Sequence, residues 1–148
     1  PLHLQVDGLN FVQADITSGS VPEDLRADSV SCLHALEHFG LGRYGDPIKF
    51  DGWRSGLSAL SRMTEPGGLL YLSVPAGWKQ RVEFNLHRIF SIPFLHGVLE
   101  EDFVVERLDF IDDLGTLYED VDIGSQAAQS TFNAEYGCSI WKLRRKEC

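Results

Sequence analysis

The sequence predicts an α/β domain built on a mostly parallel sheet, and three observations carry that expectation. Two near-continuous apolar runs, residues 29–36 and 69–74, have the composition of strands held inside a sheet. Between them the apolar period changes to that of a helix, with Trp53, Leu57, Leu60 and Met63 falling on one face. A Pro66-Gly67-Gly68 turn then launches the second run. Strand, helix, turn, strand is the rhythm of a parallel pair with a right-handed crossover.

Taken in order, residues 9–14 (LNFVQA) read as a first strand, ended by Asp15 and the turn-forming cluster Thr17-Ser18-Gly19-Ser20. A loop with Pro22 leads to a second strand, 30–36, covered on both faces. Asp51 is placed to cap a helix over 52–63, and residues 69–74 form the third strand. Residues 75–88 read as a loop. Ser91 then caps a helix with Pro93 in its first turn and Phe94, Leu95, Val98 and Leu99 on its buried side. Residues 103–110 and 138–143 form a late strand pair joined by a long acidic connection, with 124–131 as a flexible loop.

Bulk properties narrow the function. The 148 residues read as a single domain, 1–148, with 43% hydrophobic and 24% charged side chains. No apolar run approaches the ~18 residues of a membrane span. Twenty-two acidic against 13 basic side chains give a net charge of −9, a field that repels phosphate backbones, so neither nucleic acid nor membrane is an expected partner. The basic group Lys142, Arg144, Arg145 and Lys146 reads as the solvated end of the last strand. Cys32, Cys138 and Cys148 form no disulfide framework, which points to a reducing, cytoplasmic setting. The chain opens on Pro1, so a natural start upstream is expected.

The candidate chemistry begins at Glu37-His38, where the second strand runs out and a loop with Gly40, Gly42 and Gly45 follows. Open parallel sheets bind ligands outside the carboxyl ends of their strands. There His38 is suited to act as a general base on a hydroxyl or amine, because imidazole titrates near neutral pH. The bland alternative is that Glu37 caps the next segment and His38 only supports it. A metal is not expected, since neighbours on an extended chain point to opposite faces.

Four blocks, in order, resemble class I S-adenosylmethionine-dependent methyltransferases. Phe11-Val-Gln-Ala-Asp15-Ile16 is similar to that fold's third strand and acidic turn. Asp28-Ser-Val-Ser-Cys-Leu-His-Ala-Leu-Glu37-His38 is similar to its fourth strand, and Pro66-Gly-Gly-Leu-Leu-Tyr-Leu-Ser-Val-Pro75 to its fifth. Asn85-Leu-His87-Arg-Ile-Phe90-Ser91 resembles the block that opens the substrate-side helix. The string Glu37-His-Phe-Gly-Leu-Gly-Arg-Tyr-Gly-Asp-Pro47 is similar to one poorly characterised methyltransferase-like branch.

The resemblance implies a Rossmann-like methyltransferase sheet, mostly parallel with an antiparallel last strand, equivalent to the fold's third through seventh strands. It implies methyl transfer from S-adenosyl-L-methionine to a small-molecule acceptor in a complete form of the protein. Asp15, Ile16 and Leu36 would meet the cofactor, Glu37 and His38 would be catalytic, and His87, Arg88, Arg43 and Tyr44 would face the substrate. The sequence holds no Gly-x-Gly-x-Gly loop, so the expected sheet is N-terminally incomplete and a non-catalytic binding module is the rival reading. In the resembled fold two further strands separate the third from the fourth. The gap leads to the expectation of a homodimer, with Leu2, Leu4 and Val6 extending an edge between copies.

Overall fold

The computed structural model describes residues 6–18, 21, 25–42, 45, 47–83 and 86–147. Its main sheet has five strands in the order β1-β2-β7-β5-β6: β1 Ala27–Leu33, β2 Thr64–Ala76, β7 Gly137–Arg145, β5 Phe103–Ile111 and β6 Leu117–Tyr118. β1 and β2 pair in parallel, and β7 runs antiparallel to both β2 and β5. β1, β2 and β5 therefore share one direction and the last strand opposes them, as expected for the fold class.

The crossover from β1 to β2 contains helix α1, Gly52–Met63, where the apolar period placed it. Asp51 precedes it but its carboxylate makes no capping bond. The other end is better held: Thr64 Oγ1 donates to the Leu60 carbonyl at 2.8 Å, and the Arg145 guanidinium donates to the carbonyls of Ser61 and Thr64. Those carbonyls belong to the last turn of the helix, where the chain leaves acceptors without intrahelical donors and a cation is favoured.

A row of paired residues explains where the core lies. Cys32 pairs with Leu72, Leu72 with Trp141, and Trp141 with Leu108, so all four side chains rise from one face of the sheet. All four are buried. The neighbouring row, Ser31, Tyr71 and Lys142, rises from the opposite face and is less buried. β1 is consequently covered on one face, with Cys32 its single buried residue, and not on both as its apolarity implied.

Four local expectations need correction. Residues 9–14 form no strand: they run as irregular chain with Leu9, Phe11 and Val12 exposed, and end in a 3-10 turn, Ile16–Ser18. A strand is stabilised through a ladder, and none of the described strands lies beside this segment. The second strand ends at Leu33, short of residue 36, because His34 takes a left-handed φ of 49° and Leu36–His38 winds into a 3-10 turn. The expected loop 75–88 contains a hairpin, β3 Arg81–Glu83 with β4 His87–Ile89, tied to the carboxyl end of β2 by the Ala76–Phe90 bridge. In the expected loop 124–131, a short helix α3, Gln126–Gln129, is capped by Ser125.

Helix α2, Ile92–Leu99, follows Ser91, whose side chain makes no capping bond. The free Ile92 N–H is taken by Thr131 Oγ1 at 3.0 Å instead. Leu2 and Leu4, on which the expected edge between copies rests, lie outside the described residues.

One close approach positions the turn after β1. Gly40 has a φ of +75°, and its amide plane lies against Lys49 and Gly52 at the start of α1, where a methyl on Gly52 would come 2.7 Å from the Gly40 Cα. A methyl on Gly40 would overlap the Lys49 carbonyl oxygen. Gly40→Ala is expected to cost about 2 kcal/mol or more, from the left-handed penalty and the overlap together. Thermal unfolding should show a drop of several degrees; an unchanged midpoint would mean that the turn is not packed in this way.

Candidate functional site

The turn that follows β1 carries the titratable groups of the site. Glu37 is 2% exposed, and its Oε1 lies 3.4 Å from His34 Nδ1 and 3.6 Å from His38 Nε2. Its Oε2 is buried without a hydrogen-bond partner among the described residues. A buried carboxylate in that position draws the two imidazoles to one side of the turn. His38 Nδ1 is 2.6 Å from the Leu86 carbonyl, which can only accept, so Nδ1 is the donor and Nε2 is the nitrogen that faces Glu37.

The hairpin adds the opposite wall. The His87 ring stands edge-on to His38 with centroids 6.3 Å apart, and packs at 5.2 Å on the Tyr136 ring. His87 Nε2 lies 3.7 Å from the Glu83 carboxylate. Burial and then the negative charges of Glu37, Glu83 and Cys138 push the Tyr136 hydroxyl above its ordinary value. Cys138, on the last strand, brings its Sγ within 3.3 Å of His34 Nε2, and burial, with Glu37 behind it, pushes this thiol up as well.

A pocket of about 440 Å³ opens between this turn and the N-terminal segment, within the size range of small-molecule sites. Asp15, Ile16 and Thr17 line one side, and His34, Ala35, His38 and Phe39 the other. Asp15 Oδ1 accepts from the Thr17 N–H at 2.9 Å and from its hydroxyl at 2.7 Å; these bonds hold the carboxyl below the usual carboxylate value. Ile16 also packs against the core. The pocket lies just past the carboxyl end of β1, where an open sheet gathers loops.

Other expected site residues are placed differently. Leu36 is fully buried in the core and does not line the pocket, because the 3-10 turn rotates it inward while His38 turns outward. Arg88 is 4% exposed and is separated from His87 by the strand's alternation. Its guanidinium donates to the carbonyls of Glu37 (3.3 Å), Phe39 (2.5 Å) and Phe50 (3.1 Å), which fixes the turn from behind. Arg43 and Tyr44 lie outside the described residues. No group of three or more His, Cys, Asp or Glu among the described residues could hold a metal ion.

Sequence reasoning missed His34 and Cys138. His34 sat inside an apolar run and was read as a strand residue, and only the early end of β1 turns it toward Glu37. Cys138 reaches the site because β7 inserts next to β2, with Cys138 opposite Pro75. No local signal in the sequence carries that pairing.

The comparisons with known proteins bear on this geometry. A family model described as "Caenorhabditis protein of unknown function, DUF268" matches residues 23–99, which include the whole β1–α1–β2 unit and helix α2. No curated protein matches the chain in sequence. Among solved structures, the N-methyltransferase NodS from Bradyrhizobium japonicum WM9, in complex with S-adenosyl-L-homocysteine, is similar with a TM-score of 0.52 and 15% identity. The match covers 90% of this chain and 53% of NodS, so the chain spans about half the length of that protein. The likeness shows the methyltransferase-type Rossmann-like fold. No described helix is long and apolar enough to cross a membrane.

Proposed function

The chain belongs to the DUF268 family, and we propose that its function is S-adenosylmethionine-dependent methyl transfer to a small-molecule acceptor. The observation that carries the reading is the pocket past the end of β1, which joins Asp15 and Ile16 to His34, Ala35 and His38. It lies on a sheet similar to that of an enzyme whose structure holds S-adenosyl-L-homocysteine.

The residues fit such a cofactor. Asp15 keeps one carboxylate oxygen beyond the two bonds that Thr17 makes to Oδ1, an acceptor suited to an exocyclic amine, and Ile16 and Phe39 supply apolar walls. S-adenosylmethionine, when bound, supplies a methyl group on a sulfonium that is its own leaving group. The chain's part is then to align an acceptor and take up its proton. His38 does the second: Leu86 fixes the proton at Nδ1, so Nε2 accepts, and Glu37 stands beside the imidazolium that results. His87, edge-on to His38, and Tyr136, packed on His87, do not line that pocket and would supply the acceptor side next to it. Glu37 acts through the two histidines and is a positioning residue.

Calorimetric titration of the chain with S-adenosyl-L-homocysteine tests the reading. Heat of binding is expected at micromolar concentrations. Asp15→Ala should weaken binding by about tenfold, the loss of one hydrogen bond to a charged acceptor. Silence with a folded chain would favour the rival, a methyltransferase-fold binding module without cofactor.

A further inference from the structure

We infer that a second pocket, between the start of α1 and the β3–β4 hairpin, is a ligand site for an organic monocarboxylate with an aromatic or acyl body. Its volume is about 380 Å³, and it shares no lining residue with the pocket at His38. The inference therefore does not depend on methyl transfer.

The apolar half of the site is a cluster of rings. Trp53 packs edge-on to Phe90 at 5.2 Å and beside Phe94 at 5.9 Å, and all three face the cavity. Phe50 and Val82 stand exposed at its rim.

The charged half is unusual for a chain with a net charge of −9. Three arginines line the cavity against a single carboxylate, Asp51. Arg81 is already matched, with Glu83 at 3.1 Å and Glu135 at 3.9 Å. The other two are not: among the described residues no carboxylate lies within 4.0 Å of Arg54 or Arg88. Arg54 lays its guanidinium over the Trp53 ring at 4.8 Å. Arg88 is 4% exposed, and its three bonds go to neutral carbonyls from Nη1 and Nη2.

A buried guanidinium normally has a counter-charge, because desolvation of the cation is otherwise uncompensated. Carbonyl acceptors satisfy its N–H groups without supplying that charge. A carboxylate entering the cavity would supply it to Arg88 and meet Arg54 at the mouth, with its apolar body on Trp53, Phe90 and Phe94. Asp51 excludes a dianion and favours a single negative charge. Arginine over an aromatic ring is suited to this, since its weakly hydrated plane stacks and still binds carboxylate.

The test is calorimetry on the chain with phenylpropionate, against phenylpropanol and phenylpropylammonium as neutral and cationic probes of similar shape. The acid should bind with one-to-one stoichiometry, the alcohol about tenfold more weakly, and the ammonium least. Arg54→Gln should weaken the acid by about tenfold and leave the alcohol unchanged, while Arg62→Gln, on the same helix and bonded to Ser58, should change neither. If Arg54→Gln fails to fold, added salt on the unmodified chain reads the same quantity: it should weaken the acid and spare the alcohol. Equal affinity of acid and alcohol, or displacement of the acid by S-adenosyl-L-homocysteine, would overturn the inference. Failure of S-adenosyl-L-homocysteine to bind would not touch it.

Discussion

Truncating Trp141 to alanine is expected to cost about 3–5 kcal/mol, the range for removing a large aromatic side chain from a core. Trp141 is fully buried, sits between Leu72 of β2 and Leu108 of β5, and donates its indole N–H to Ser139 Oγ at 2.9 Å. Through it the last strand is paired on both sides, with β2 and with β5. Single domains carry only about 5–15 kcal/mol in total, so the loss would remove a large share of the stability. Urea unfolding should show a much lower midpoint at unchanged slope. A cost under about 1 kcal/mol would mean that the last strand does not insert between β2 and β5.

The second large effect concerns turnover. In a form of the protein that methylates an identified acceptor, His38→Ala should lower kcat by about 10²–10⁴-fold, the range for loss of a general base, and move S-adenosyl-L-homocysteine affinity far less. Glu37→Gln keeps the shape of the turn and removes the charge beside His38 Nε2, so it should lower kcat less than His38→Ala and shift the pH profile. An unchanged rate in His38→Ala would remove His38 as the base and leave it as a wall of the pocket.

Much of the frame was legible because it rests on periodicity. The helix over 52–63 and the strand pair around it follow from one apolar face and two apolar runs, and those patterns are local. The late strands were legible for the same reason. The segment at 9–14 misled because strand formers such as Phe11 and Val12 state a preference that only a neighbouring strand can satisfy, and none of the described strands pairs with it.

The site was half legible. Glu37 and His38 were visible as polar residues where an apolar run stops, and Asp15 as an acid at a turn. Leu36 was misplaced because one 3-10 turn decides which way each residue of that stretch faces. The contact between His34 and Cys138 spans 104 residues and exists only through sheet topology. Arg88 was visible as a charge near the substrate side, but its burial behind the turn depends on the hairpin that the sequence presented as a loop.

The place of β7 between β2 and β5 also sets an order of events. The strand made last, residues 137–145, is the one that joins the β1–β2 half to the β5–β6 half, and without it neither ladder on its two sides exists. During synthesis the earlier strands emerge with their inner edges bare and their apolar row unpaired. The chain therefore cannot close its sheet as it leaves the ribosome from the N-terminal side; closure waits for residues more than sixty positions after β2 to return to it. Pairings between such distant segments fold slowly and leave edges open to other chains meanwhile. Chaperone capture of nascent chains is therefore expected to be heaviest before β7 has emerged, which selective ribosome profiling of chaperone-bound chains would check.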